Sequence, residues 1–250
     1  MKVILLLGAE NRVRGAKAVI EAGLSLDAIA VPPGLPKAKI EETARDEGCE
    51  VLETPRAGVL QLLQSRRPDV VLSVGWPYLF GRKILETRCL LLNSHPTLLP
   101  KYRGPNPWYH VLANGETKSG VTIHKIDEGM DTGPILHQRE FPLTRFDTYR
   151  SLKARTLVEE PVAIREALAL VRDGNVRFHA QREEEATSYP GRRKPEHSCI
   201  DAAQPLMDLV DAIRACDPDG FPAYFEYHGQ KLYVRLSRTS IPEGDHPESL

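Results

Sequence analysis

Met1-Lys2-Val3-Ile4-Leu5-Leu6-Leu7-Gly8 opens the chain. Residues 3–7 are apolar without alternation, the pattern of a strand covered on both faces. The run is too short to span a bilayer. It meets Gly8, Glu10 and Arg12 at once and has no cleavage signature, so it reads as a first strand and not as a signal peptide. Residues 14–21 then read as a helix stopped by Gly23, and residues 26–31 as a strand ended by Pro32-Pro33-Gly34. The alternation continues with a helix over 38–47, a short strand over 50–52, a helix over 57–66, and strands over 69–74 and 89–92. This order predicts an α/β fold: a Rossmann-like, mostly parallel sheet with right-handed crossovers, flanked by helices.

Beyond Leu92 the text changes. Residues 93–107 are rich in Pro and Gly and read as a loop. A short helix over 108–113 has Pro107 near its start and Gly115 past its end. Strands over 121–126 and 135–141 flank a tight loop, 127–134, that holds two glycines. Asp147 is placed to cap a long helix that runs to Arg172 and ends at Gly174; Pro161 inside it predicts a kink or a split. A boundary at Gly174-Asn175 divides a catalytic unit, 1–174, from a small α+β C-terminal appendage, 175–250. The appendage has a charged stretch at 182–185, a turn at Tyr189-Pro190-Gly191, a helix over 205–215, and a hairpin of 223–227 with 231–236 turned at His228-Gly229. Residues 241–250 are expected to be disordered.

Composition narrows the function. A net charge of -1 over 250 residues gives no global bias towards nucleic acid or an anionic membrane. Cys49, Cys89, Cys199 and Cys216 form no CxxC pair, which fits reduced thiols in a cytoplasmic protein. The eight histidines make no HExxH or other ligand cluster, so no metal is expected. Residues 8–15 match neither GxGxxG nor GxxxxGK[ST], and no GxSxG elbow occurs. The acidic loop is no EF-hand, because Gly129 stands where a calcium ligand is needed.

Asn93-Ser94-His95-Pro96 follows an apolar strand and so lies at the carboxyl edge of the sheet, where open α/β sheets bind ligands. Residues two apart on an extended chain project to one side, and Pro96 keeps His95 extended. An amide N–H beside an imidazole suits acyl transfer: the amide can hold a developing oxyanion and the imidazole can exchange a proton. The glycines of Asp127-Glu128-Gly129-Met130-Asp131-Thr132-Gly133-Pro134 permit a turn that aims Asp131 at the same crevice. Taken alone, each residue has an ordinary alternative: a structural histidine after a strand, and an aspartate serving its own turn.

Residues 92–104, Leu-Asn-Ser-His-Pro-Thr-Leu-Leu-Pro-Lys-Tyr-Arg-Gly, resemble the signature of folate-dependent formyltransferases. So does Gly120-Val121-Thr122-Ile123-His124, followed by 127–134. The resemblance implies that Asn93, His95 and Asp131 are catalytic and that the cosubstrate is N10-formyltetrahydrofolate. It also implies a pterin pocket lined by the 74–80 loop, with Trp76, Pro77, Tyr78 and Leu79, and completed by Leu91, Asp127, Gly129 and Met130.

The family formylates glycinamide ribonucleotide, methionyl-tRNA, nucleotide-linked amino sugars or amino-acid amines. Arg192-Arg193-Lys194-Pro195-Glu196, Ile213-Arg214-Ala215 and residues 221–225 are similar to the tails of the amino-sugar and methionyl-tRNA enzymes. A tRNA enzyme needs a basic surface. From residue 176 onward the chain has nine Lys or Arg against thirteen Asp or Glu, so a nucleotide-linked amino sugar ranks first, and the resemblance runs to bacterial enzymes acting on lipopolysaccharide precursors. Lys101, Tyr102 and Arg103, and also Asn11 and Arg12, are the candidates to meet its diphosphate. The other readings are a hydrolase with water as acceptor and a folate-binding module without turnover. A homodimer is an expectation by analogy, and the tail's helix and hairpin can equally cover a sheet edge or build that contact.

Overall fold

The computed structural model describes residues 1–242, 246, 247, 249 and 250. The chain runs β1 (Lys2–Leu7), α1 (Arg14–Glu21), β2 (Ser25–Val31), α2 (Ala38–Asp46), β3 (Glu50–Glu53), α3 (Val59–Arg66), β4 (Val70–Val74), α4 (Arg82–Leu85) and β5 (Leu90–His95). It continues with α5 (Pro107–Ala113), β6 (Lys118–Lys125), β7 (Ile135–Pro142), α6 (Tyr149–Arg172), α7 (Leu206–Arg214), β8 (Tyr224–Tyr227) and β9 (Gln230–Tyr233). The main sheet has seven strands in the order β3-β2-β1-β4-β5-β6-β7. The first five are mutually parallel, and β6 and β7 are antiparallel to their neighbours.

Strand alternation explains both the two-sided core and the placement of the site. In β1, Val3, Leu5 and Leu7 join a cluster on one face with Val19 of α1 and Ile164, Ala167 and Leu168 of α6. Ile4 and Leu6 join a second cluster on the other face with Val59, Leu62 and Leu63 of α3. All five are wholly buried, which is why the run carries no polar residue. In β5 the same alternation sends Leu92 to the first cluster and Leu91 to the second. Asn93 and His95 therefore share the side of Leu91, while Ser94 faces α6.

The structure departs from the sequence expectations at three places. β5 does not stop at Leu92 but runs through His95, because Asn93, Ser94 and His95 pair with His124, Ile123 and Thr122 of β6. The cap of α6 is Thr148, in a reciprocal capping box with Ser151, and not Asp147. Asp147 is wholly buried, and its carboxylate instead accepts from the Thr144 N–H and the Ser151 hydroxyl. α6 also runs unbroken through Pro161, and so is not split there. The wholly buried Ala163, Ile164, Ala167 and Leu168 hold its second half against the sheet, and that tertiary packing outweighs the local break.

Beyond α6 the chain first crosses the loops at the carboxyl edge of the sheet and then forms α7 and the β8–β9 hairpin. Leu209 and Ile213 of α7, with Cys216 and Ala223, make a small separate cluster. The expectation of disorder at 241–250 falls in part on residues 243–245 and 248, which lie outside the described residues. No helix among the described residues is long and apolar enough to cross a membrane.

Candidate active site

The antiparallel pairing of β5 with β6 sets His124 directly opposite Asn93, and the parallel pairing with β4 sets Ser73 on its other side. These neighbours fix the Asn93 amide. The His124 Nδ1–H donates to the Lys125 carbonyl at 2.9 Å, which leaves Nε2 as an acceptor. Asn93 Nδ2 donates to that Nε2 at 3.1 Å, and Asn93 Oδ1 accepts from the Ser73 hydroxyl at 2.8 Å. One directional chain, Ser73 to Asn93 to His124 to Lys125, therefore turns the amide N–H groups towards Asp131. Nδ2 reaches Asp131 Oδ1 at 3.4 Å, the longest and weakest contact of the set.

His95 is held from two directions. Its Nε2–H donates to the Tyr102 carbonyl at 2.9 Å, and its Nδ1 faces Asp131 Oδ2 at 3.4 Å. A carbonyl can only accept, so the Nε2 proton is required and Nδ1 is where a further proton would arrive. Tyr102 presents that carbonyl from a left-handed conformation, φ 64°. Asp131 is also left-handed, φ 57°, which swings its carboxylate back over the sheet edge. There Oδ2 accepts the Gly104 N–H at 2.9 Å. Gly104 has φ 105°, and a Cβ on it would lie 2.5 Å from the Tyr189 carbonyl oxygen, so only glycine brings its N–H to Asp131.

Burial and charge compete here. Burial alone would raise the Asp131 carboxyl, but the neighbouring His95 and His124 rings and the Gly104 N–H outweigh it and hold the group well below the ordinary carboxylate range. For His95, burial is the largest influence and lowers the imidazole; the Asp131 carboxylate opposes it without cancelling it. The resting site therefore pairs an ionised carboxylate with a neutral imidazole. Asp131 alone does not keep His95 charged.

These three side chains make a polar cluster in which a donor, a proton acceptor and an anion converge at the carboxyl edge of β5, where the sheet turns from parallel to antiparallel. The profile of the formyl transferase family matches residues 29–168, more than half of the chain. The chain belongs to that family. It is a folate-dependent formyltransferase by kinship and a Rossmann-like α/β protein by fold. Methionyl-tRNA formyltransferase of Thermotoga maritima is 31% identical over 211 residues, which cover 80% of this chain and 67% of that protein. Among solved structures, a sugar N-formyltransferase from Shewanella sp. superposes with a TM-score of 0.78 at 21% identity, over 97% of this chain and 99% of its own. An N-formyltransferase from Helicobacter canadensis, in complex with folinic acid and dTDP-3-aminofucose, superposes with a TM-score of 0.73 at 18% identity, over 92% and 86% of the two chains. At these identities the two structures share the fold.

The loop expected to line the formyltransferase's pterin pocket follows β4. Gly8 lets it pack down, since a Cβ there would meet the Gly75 carbonyl oxygen at 1.8 Å. Trp76 and Phe80 lie half-buried on the apolar cluster of Val71 and Leu91, and Trp76 and Tyr78 make an edge contact at 5.7 Å. Pro77 and Leu79 are exposed. The buried Trp76 indole N–H has no hydrogen-bond partner. Leu91 contributes a buried side chain, and its carbonyl accepts from the Ile126 N–H. Asp127 accepts from the Gly129 N–H and the Thr132 hydroxyl, shaping the loop from which Met130 projects. A flat ring with a polar edge fits an apolar floor, a half-buried indole and an exposed loop backbone. Among the described residues no group of three or more His, Cys, Asp or Glu is placed to hold a metal ion.

The five residues expected to meet the acceptor separate. Asn11 is exposed, and Lys101 is half-exposed in a pair with Glu116. Tyr102 is buried, its hydroxyl donating to Glu116 at 2.7 Å, and Arg103 is buried with its guanidinium on Gln181 and Glu183. Arg12 lies beneath the site, paired with Glu160 at 2.9 Å and set over the Trp108 ring. Tyr102, Arg103 and Arg12 thus have internal partners and are largely buried, which leaves Lys101 and Asn11 as the more exposed of the five. Two features at the site were not assigned from sequence. His124 stood within a quoted motif, and its register opposite Asn93 was the missing signal. Gln181 carried no signal at all.

Proposed function

We propose that the protein transfers the formyl group of N10-formyltetrahydrofolate to the primary amine of a nucleotide-linked amino sugar, with residues 1–174 as the catalytic unit and 175–250 as its appendage. The convergence of Asn93, His95 and Asp131 carries the formyl-transfer reading. The neutral amine attacks the formyl carbon. Asn93 Nδ2 exchanges its weak contact with Asp131 for the developing oxyanion. The proton lost by the amine passes to His95 Nδ1, where Asp131 stabilises the imidazolium. The bond from carbon to N10 then breaks, and N10 of the leaving tetrahydrofolate takes the proton. Asn93→Ala is expected to lower kcat by about 10²–10³-fold, the usual effect of losing one oxyanion donor. Stopped assays on a variant with unchanged thermal unfolding check this.

The acceptor reading rests on charge. The chain from residue 176 onward is net acidic by four, unsuited to tRNA phosphates. The Helicobacter canadensis enzyme, which shares the fold, holds a dTDP-linked amino sugar. A surface pair such as Lys101–Glu116 contributes little, so Lys101 is able to exchange Glu116 for a phosphate, with Asn11 nearby in sequence to Arg12 as a second contact. Methionyl-tRNA is the second reading, favoured by the 31% identity to the Thermotoga maritima enzyme. Mass spectrometry decides between them. The protein is incubated with N10-formyltetrahydrofolate and UDP-, GDP- and dTDP-linked amino sugars, glycinamide ribonucleotide, charged tRNA and ornithine. One sugar nucleotide gaining a formyl group supports the proposal. Formylated methionyl-tRNA transfers the assignment to the second reading, and free formate with no formylated amine transfers it to a hydrolase.

A further inference from the structure

Past α6 the chain returns across the carboxyl edge of the sheet as an extended segment. Its backbone pairs His179 with Ile135, the first residue after the Asp131 loop, through bonds of 2.7 and 2.8 Å. Eight residues later Thr187 accepts the Arg103 N–H at 2.9 Å, and Tyr189 donates to the Arg103 carbonyl at 2.9 Å. The segment thus bridges the two loops that supply Asp131 and the Tyr102–Gly104 backbone. Gln181 lies between these two anchor points. Its Nε2 donates to the Asp131 carbonyl at 2.9 Å and to the Gly133 carbonyl at 2.7 Å. Its Oε1 accepts from Arg103 Nε at 3.0 Å and Nη2 at 2.8 Å. Carbonyls only accept and a guanidinium only donates, so the orientation of the amide is forced. Both N–H groups and both lone pairs are used.

We infer that Gln181 is a positioning residue for formyl transfer, holding the Asp131 loop in the left-handed turn that sets the carboxylate against His95 Nδ1. The inference rests on the reading of Asn93, His95 and Asp131 as the reacting groups. A non-glycine residue with φ 57° persists only where its surroundings over-determine it. Gln181 supplies the backbone restraint on that turn, and the Gly104 N–H supplies the side-chain restraint. Arg103 in turn fixes Gln181, and the exposed Glu183 carboxylate holds the outer side of Arg103. Neither Gln181 nor Arg103 need touch a reacting atom for the geometry to depend on them.

Gln181→Met keeps the length and removes all four bonds; Gln181→Glu keeps the shape and turns oxygens towards two carbonyls. The readout is the titration of the His95 ring, followed by NMR on ligand-free, histidine-labelled protein. The charged or titratable groups that bear on this ring are Asp131 from the loop, His124 from β6 and Arg12 from the turn after β1. Asp131 is the one that raises it, so a displaced Asp131 moves the His95 titration to lower pH. In both variants that shift is expected. With the amine found in the panel, kcat is expected to fall about 100-fold, the scale of a misplacement near 1 Å, while KM for N10-formyltetrahydrofolate holds. Glu184→Gln, at an exposed residue paired with Arg182 and outside this network, is expected to match wild type. A merely structural Gln181 would lower thermal stability without moving the His95 titration or separating kcat from KM. A wild-type titration and kcat in Gln181→Met, alongside an inactive Asp131→Asn, overturns the inference and leaves the site standing. Full turnover in Asp131→Asn overturns the site itself.

Discussion

Asp131→Asn is expected to fold normally and to lower kcat by about 10²–10⁴-fold, the range associated with a positioned acid or base. The amide has the volume of the carboxylate and can present its oxygen to the Gly104 N–H and its NH₂ towards His124 Nε2, so the turn keeps its Gly104 bond and loses only the weak 3.4 Å contact from Asn93 Nδ2. What disappears is the negative charge 3.4 Å from His95 Nδ1. That charge is what makes a proton on Nδ1 tolerable in a nearly dry site, and without it the imidazole is a poor acceptor for the proton lost by the amine. Circular dichroism and thermal unfolding report the fold, and single-turnover formyl transfer reports the step. Near-normal turnover would remove Asp131 from the mechanism.

The same groups set the pH response. The His95 titration is lowered by burial, so the unfolded chain takes its proton at a higher pH than the folded one. Its contribution to stability is complete above the ordinary histidine value and declines as pH falls below it towards the lowered folded value. Asp131 is depressed, so its contribution is present above the ordinary carboxylate range and lost as pH falls through it. Both act in one direction, and acid destabilises the site. Turnover requires neutral His95, so the acid limb of kcat lies below the ordinary histidine value and moves lower still in Asp131→Asn. A pH profile of both proteins checks the sign.

Arg12→Met is expected to destabilise the fold by about 3–5 kcal/mol, the usual consequence of removing one partner of a buried ion pair. The side chains of Arg12 and Glu160 are 10% and 3% exposed, and Glu160 Oε1 accepts both the Arg12 guanidinium and the Ser94 hydroxyl, at 2.9 and 2.7 Å. Without Arg12 a carboxylate is left beneath the sheet with one hydroxyl for company. The double variant Arg12→Met/Glu160→Met removes both charges and is expected to recover most of the loss. Urea unfolding of wild type, both singles and the double measures the coupling. Singles that lose no more than the double would show that the pair contributes only packing.

This pair also links the fold to the chemistry. Ser94 lies between Asn93 and His95 and points the opposite way, so Glu160 anchors β5 from the far face. The charge of Arg12 is felt at His95, where it lowers the imidazole. α6 thus does more than cover the sheet. The residue before Pro161 reaches through to the strand that carries the site.

Residues 3–7 and, but for Ser73, residues 70–74 state the parallel core on their own, because a strand buried on both faces is apolar nearly throughout and hydrophobicity is written locally. Asn93 and His95 were legible for a similar reason: the two-residue repeat of a strand places them on one side wherever that strand goes. The existence of α1, α2 and α6 followed from periodicity and stop signals. The extension of β5 to His95 did not, since it depends on pairing with β6. The same is true of His124, which becomes a neighbour of Asn93 only through register. Asp131 was named from its loop, but its left-handed turn is held by Gly104 and Gln181, 27 and 50 residues away in the chain. Arg12 and Glu160 lie 148 residues apart. No local period encodes such contacts. Sequence by itself determined which residue types face the core and which two reach the sheet edge, because burial and alternation are properties of a single strand. Only the tertiary structure decided the protonation partner of His95 and the fate of each buried charge, because those follow from what distant segments bring within hydrogen-bond distance.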